Sequence, residues 1–176
     1  MMTNSSAEII AHRGASSDAP ENTMAAFQLG FDQGADAIEC DVRLSLDDQL
    51  VVIHDPTVER ISGVNRAVKE MTMTALKALN AGIPALAEVL ELVPADRRIF
   101  IEIKVGLPSI SPLKKLLEDS PLPMAQVVLM EYDLDMVIAM NEAFPDATVL
   151  WLNDFHPLRF PWQQNRNIKT FLDTSN

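Results

Sequence analysis

Cysteine is nearly absent: the 176 residues hold one, Cys40, which excludes an intramolecular disulfide and a multi-cysteine zinc site. In the middle of an expected strand, that thiol reads as a small buried hydrophobe. Basic residues are outnumbered, 14 Lys and Arg against 25 Asp and Glu, for a net charge of −11. A surface of that sign repels phosphate backbones, so nucleic acid is not an expected partner. The global charge is only background, because a local Arg, Lys or metal ion still suffices to hold one phosphate group. No uncharged run approaches the ~20 residues that span a bilayer. The opening MMTNSSAEII has neither the basic n-region nor the apolar stretch of a signal peptide. These absences lead us to expect a cytoplasmic protein without a transmembrane segment. Repeats of fixed length and low-complexity tracts are missing as well.

What is present suits one folded domain over residues 1–176, with 48% hydrophobic residues and a length that supports a substantial core. AEIIAH reads as a strand ending at Arg13-Gly14. PENTMAAFQLGFDQG reads as a helix, with Met24, Phe27 and Phe31 at helical spacing and Gly34 as its stop. DAIECDVRL and QLVVIHD read as strands separated by the polar SLDD. Thr72 or Thr74 is placed to cap a short helix, ALKALNAG, and ALAEVLELVP after Pro84 is a second helical stripe. RIFIEIK, AQVVLMEYD and ATVLWLND read as further strands, alternating with the helices SPLKKLLEDS and LDMVIAMNEAFP. Strands alternating with helices imply right-handed crossovers and a mostly parallel sheet, an α/β class. In the tail, Trp151 is expected to pack, and His156 to be a surface or loop histidine; Trp162 carries no assignment.

DAIECDVRL carries Glu39, Asp41 and Arg43 where a buried strand usually has Val or Ile. Alternation sends these three to one face, and Ile38, Cys40 and Val42 to the other. The plain reading is a wet second face, but unpaired carboxylates in apolar surroundings need a cation or a basic partner. The same alternation in IFIEIK puts Glu102 and Lys104 together. His12 and Arg13, Glu39 and Asp41, His54 and Asp55, and Glu102 and Lys104 all fall at the C-terminal ends of expected strands, where parallel α/β folds bind ligands. Glu39, Asp41 and Glu102 suit a hard divalent cation rather than zinc. His12 and His54 suit general acid and base work at neutral pH. Arg13 and Lys104 suit an anionic group, and the whole set suggests phosphate ester chemistry. Asp55 either orients His54 or ends its strand before Pro56, and the second role is expected.

The segments AHRGASSDAPENTMAAF, GADAIECDVRLSLDDQLVVIHDPTVER, IPALAEVLEL and IFIEIK, in this order and spacing, resemble the glycerophosphodiester phosphodiesterases over residues 8 to 152. The resemblance implies a (βα)8 TIM-type barrel in which Glu39, Asp41 and Glu102 hold Mg²⁺ or Ca²⁺. It further implies that His12 and His54 act as acid and base, that Arg13 and Lys104 contact the phosphate, and that Asn22 lies near the metal. The implied reaction is hydrolysis of a small glycerophosphodiester to sn-glycerol 3-phosphate and an alcohol. The sequence departs from the family in stopping about two βα units short, with six strands counted here, which implies a barrel incomplete at its C-terminus. MEYD stands where many members carry Ser-Phe, and the connection before IPALAEVLEL is short. A non-catalytic anion-binding or interaction module of the same fold is the alternative.

Overall fold

The computed structural model describes residues 7–153 and the backbone of 169–172. His156 and Trp162 lie outside the described residues. The sheet contains β1 (Ile10–His12), β2 (Ala37–Leu44), β3 (Leu50–Val52), β4 (Arg98–Ile103), β5 (Val127–Glu131), β6 (Thr148–Asn153) and β7 (Lys169–Leu172). Six of these run parallel in the order β1-β2-β4-β5-β6-β7. The helices are α1 (Met24–Asp32), α2 (Glu59–Ser62), α3 (Met73–Leu79), α4 (Leu86–Leu92), α5 (Ile110–Asp119) and α6 (Leu134–Ala143). None is long and apolar enough to cross a membrane.

Six strands were expected, and seven are found among the described residues. QLVVIHD yields β3, which pairs antiparallel with β2 and lies off the parallel path, while β7 comes from a tail that showed no clear pattern. The reason lies in the connector: residues 45–49 are too few for a parallel crossover, which needs a dozen or more, and suffice only for a hairpin. Asp48 adopts φ +56° in that turn, and Asp47 Oδ1 accepts from Met73 N at 2.9 Å, tying the tip to the start of α3.

Alternation along the strands divides the interior into two layers. Ile38, Cys40, Val42, Ile99, Ile101, Ile103, Val127 and Leu129 face Phe27, Leu86, Leu113 and Met136 of the helices. The opposite face holds an apolar group of Ala37, Phe100, Val128, Met130, Leu150 and Leu152, with no helical residue in it. A third cluster, with Val51, Ile53, Val58 and Leu76, lies beneath the hairpin and α3. Thr72, rather than Thr74, caps α3, its hydroxyl accepting from Ala75 N at 3.2 Å. Gly14 is dictated by packing: a Cβ there would lie 2.5 Å from the backbone carbon of Ala26, and its φ is +78°. Only glycine lets the end of β1 rest on α1.

Candidate metal centre and its flanks

Glu39 and Asp41 on β2 and Glu102 on β4 present carboxylate oxygens that all lie within 4.8 Å of one another, and all three side chains are buried. Register explains the meeting, because Asp41 and Glu102 are direct partners across adjacent parallel strands and Glu39 is one alternation away on the same face. The basic residues lie against the acids. Lys104 Nζ bonds Glu102 Oε1 and is 3.2 Å from Asp41 Oδ1, and Arg13 Nε is 3.1 Å from Asp41 Oδ2. Arg13 N also donates to Glu39 Oε2 at 3.0 Å.

Asn22 is fully engaged with Asp41. Its amide donates to Asp41 Oδ2 at 2.9 Å and its side-chain oxygen accepts from Asp41 N at 3.3 Å. Arg13 and Asn22 both occupy the left-handed region, at φ +57° and +56°, and Asn22 N bonds Arg13 O at 3.0 Å to close the loop between them. Asparagine tolerates that conformation, whereas an arginine held there costs about 1 kcal/mol or more, a strain of the kind found at ligand sites.

Glu39 Oε1 is buried without a hydrogen-bond partner, and Asp41 Oδ1 has only the Lys104 ammonium, at 3.2 Å. Burial and the charge of Asp41 push the Glu39 carboxyl up to about 8. Burial acts on Asp41 in the same direction, but the Asn22 hydrogen bond and the charges of Lys104 and Arg13 outweigh it and hold that acid below its usual range. Burial would lower the Lys104 pKa, but Glu102 and Asp41 raise it. An all-oxygen donor set with one orphaned carboxylate oxygen fits a hard divalent cation, which would replace the proton that Glu39 otherwise retains.

The histidines arrive from opposite directions along one edge of β2. β1 pairs with β2 as far as Glu39, and β3 pairs on from Val42, with Ile53 N donating to Asp41 O at 2.9 Å. β4 occupies the other edge at Val42, so β3 continues the edge that β1 leaves. His12 Nε2 lies 3.8 Å from Glu39 Oε2. The expectation that His54 ends a parallel strand is corrected: it follows an antiparallel strand that runs back toward the acids. Asp55, expected to act as a strand terminator, instead sits 2.8 Å from His54 Nδ1.

Three residues near the site escaped sequence reasoning in whole or part. Arg43 shares the Glu39 and Asp41 face, and its Nε donates to His54 O at 2.7 Å while a terminal nitrogen donates to Lys104 O at 3.4 Å. Arg60 sits in the polar connection after His54 and bonds Asp55. Glu131 ends β5, accepts from Tyr132 N at 2.7 Å, and is raised in pKa by burial. Glu102, Lys104, Leu107, Glu131, Tyr132 and Asp133 line a cavity of about 670 Å³. Trp151 packs as expected and also donates from Nε1 to Tyr132 O at 3.0 Å.

A family model for the glycerophosphoryl diester phosphodiesterases matches residues 12–142. A glycerophosphodiester phosphodiesterase of Caldanaerobacter subterraneus subsp. tengcongensis is 46% identical over 111 residues, 56% of this chain and 46% of that protein. A putative glycerophosphodiester phosphodiesterase of Bacillus subtilis is 46% identical over 112 residues, 57% of this chain and 46% of that one. The chain thus spans about half the length of the curated relatives it matches. The crystal structure of the Thermotoga maritima glycerophosphodiester phosphodiesterase superposes with a TM-score of 0.76 at 32% identity, covering 87% of this chain and 65% of that one. An Oleispira antarctica phosphodiesterase, solved with its product sn-glycerol-3-phosphate, gives a TM-score of 0.77 at 25% identity, covering 86% and 68%. These neighbours mark the curled parallel sheet as part of a TIM barrel. The matched stretch includes the HRG, PENT and HD segments and the paired acids of β2 and β4, and by that match the chain belongs to the glycerophosphoryl diester phosphodiesterase family.

Proposed function

We infer that this chain carries the site of a metal-dependent glycerophosphodiester hydrolase, on one barrel-type domain, releasing sn-glycerol 3-phosphate and an alcohol. The observation that carries this reading is the buried trio Glu39, Asp41 and Glu102, in which Glu39 Oε1 is left without a hydrogen-bond partner. In their ionised forms the three acids outnumber Arg13 and Lys104 by one charge, so Mg²⁺ or Ca²⁺ would turn the centre net positive and attractive to a phosphodiester. When bound, the cation supplies positive charge where negative charge builds up on the phosphoryl oxygens.

The remaining steps belong to the protein's own side chains. Arg13 and Lys104 lie beside the acids, and on this reading they turn part of their donor capacity to the substrate phosphate, Arg13 through its fork and Lys104 as a point charge. One of His12 and His54 takes a proton from the nucleophile and the other gives one to the departing alkoxide. Asn22 holds Asp41 from both its backbone and its carboxylate, which keeps the acid aimed at the centre.

The test is release of sn-glycerol 3-phosphate from glycerophosphocholine by the folded chain, with Mg²⁺ or Ca²⁺ and with a chelator. Cation-dependent release that disappears in His12→Ala is the expected result. Calorimetric binding of the cation and of glycerol phosphate without turnover would favour the anion-binding module instead.

A further inference from the structure

A chain of polar contacts runs round the outside of the carboxylate cluster and joins its two flanks. Asp55 Oδ1 lies 2.8 Å from His54 Nδ1, and Arg60 Nε donates to Asp55 Oδ2 at 2.6 Å. A terminal nitrogen of Arg60 donates to Glu21 Oε1 at 2.7 Å, and the same oxygen accepts from Arg13 at 3.2 Å. Glu21 and Arg13 belong to the β1–α1 loop, His54 and Asp55 to the turn after β3, and Arg60 to α2. Both oxygens of Asp55 are therefore committed, so its carboxylate cannot rotate about its last bond without losing either the histidine or the arginine.

We propose that Arg60 is a positioning residue for His54: its guanidinium, anchored on Glu21, holds Asp55 in the one orientation that takes the proton-bearing Nδ1 of the ring. In the neutral ring this leaves Nε2 as the nitrogen with the free lone pair. The proposal rests on the hydrolase reading for its purpose, because that reading gives His54 its acid or base role. A planar fork is what the geometry requires, since Arg60 reaches two carboxylates through different nitrogens, and a lysine point charge cannot reproduce that spacing. Arg60 is half exposed, and exposed ion pairs contribute little to folding, so substitution there should leave the fold intact. The same contacts hold Asp55 at about 2, with Arg60 the larger cause and His54 the next.

The experiment is NMR of the chain with isotope-labelled histidine, the His54 signals being assigned from their loss in His54→Gln, together with melting curves and steady-state kinetics. In Arg60→Gln the share of neutral His54 carrying its proton on Nδ1 should fall about twofold or more. Arg60→Lys should show the same change, because charge is kept and the fork is lost, and Glu21→Gln a smaller one in the same direction. Turnover of glycerophosphocholine should fall about tenfold in kcat with KM held. A His54 tautomer unmoved in Arg60→Gln overturns the proposal, as does a drop in melting temperature with the tautomer unmoved, which would make Arg60 a support for α2 alone. Should Arg60→Gln not fold, an unmoved tautomer in Glu21→Gln overturns it equally. The two readings fail separately: a shifted tautomer in a chain without turnover removes the hydrolase and leaves the positioning role, whereas turnover with kcat and tautomer both unchanged in Arg60→Gln removes only the latter.

Discussion

One row across the sheet contains both a candidate metal centre and an ordinary core. Asp41, Glu102, Met130 and Leu150 are successive register partners on β2, β4, β5 and β6, all on the face opposite the helix-packed layer. The first two are buried acids and the last two are buried hydrophobes. Behind the row the strands do not differ: Cys40, Ile101, Leu129 and Val149 all sit in the helix-packed layer. The backbone is thus indifferent to which half of the row it carries. Chemistry is written by residue type at alternate positions of two strands, and the apolar half beside them excludes water and fixes the register.

The contrast is broken most severely at Asp41. Asp41→Asn keeps shape and removes charge, and Mg²⁺ or Ca²⁺ affinity measured by calorimetry should fall at least ~100-fold while the circular dichroism spectrum stays that of the parent. Retained affinity would place the cation elsewhere. On the apolar side, Phe100→Ala should cost about 3–4 kcal/mol in denaturant unfolding, since it empties a fully packed position next to Val128 and Ala37, with cation affinity in the folded fraction unchanged.

Glu39 sharpens the comparison through pH. With its pKa at about 8 against the ordinary 4.5, the folded cation-free chain keeps a proton that the unfolded chain has shed. Its burial therefore costs nothing below pH 4.5, and a growing amount as pH rises toward 8. Glu39→Gln lacks that penalty, so in chelator it should gain over the parent steadily through this window, by about 1.4 kcal/mol for each pH unit. A stability difference that is flat from acid to neutral pH would show that the carboxyl is not held protonated. The smallest effect belongs to Met130→Leu, a volume-conserving change one strand from Glu102, which should cost less than ~1.5 kcal/mol and leave cation binding untouched.

Legibility in the sequence followed the same line. Periodicity marked β2, β4, β5 and every helix except the four-residue α2 closely, because a two-sided strand or an amphipathic helix repeats its pattern locally. The pairing of Asp41 with Glu102 was readable as a shared chemistry, and the structure brings the two side by side. The direction of β3 was not read from alternation, which is identical in either sense. The short polar segment SLDD between the two expected strands carried the missing signal. The contacts of Arg60 with Glu21 and Asp55, the first 39 positions away in sequence, left no local trace, nor did the link from Arg43 to the loops bearing His54 and Lys104. Such residues look like solvated charges until the chain folds.

The hairpin that delivers His54 hangs from β2 by the pairs Val42–Val52, Arg43–Val51 and Leu44–Leu50. Side chains alternate faces at each step, so sliding this ribbon by one residue would turn the imidazole away from the acids, and only double steps preserve its facing. The distance between imidazole and carboxylates is consequently indexed like a ratchet. Residues added in pairs at the tip would lengthen the ribbon beyond Leu44 and Leu50 without shifting Val52 against Val42, and so would leave the imidazole and the acids where they stand.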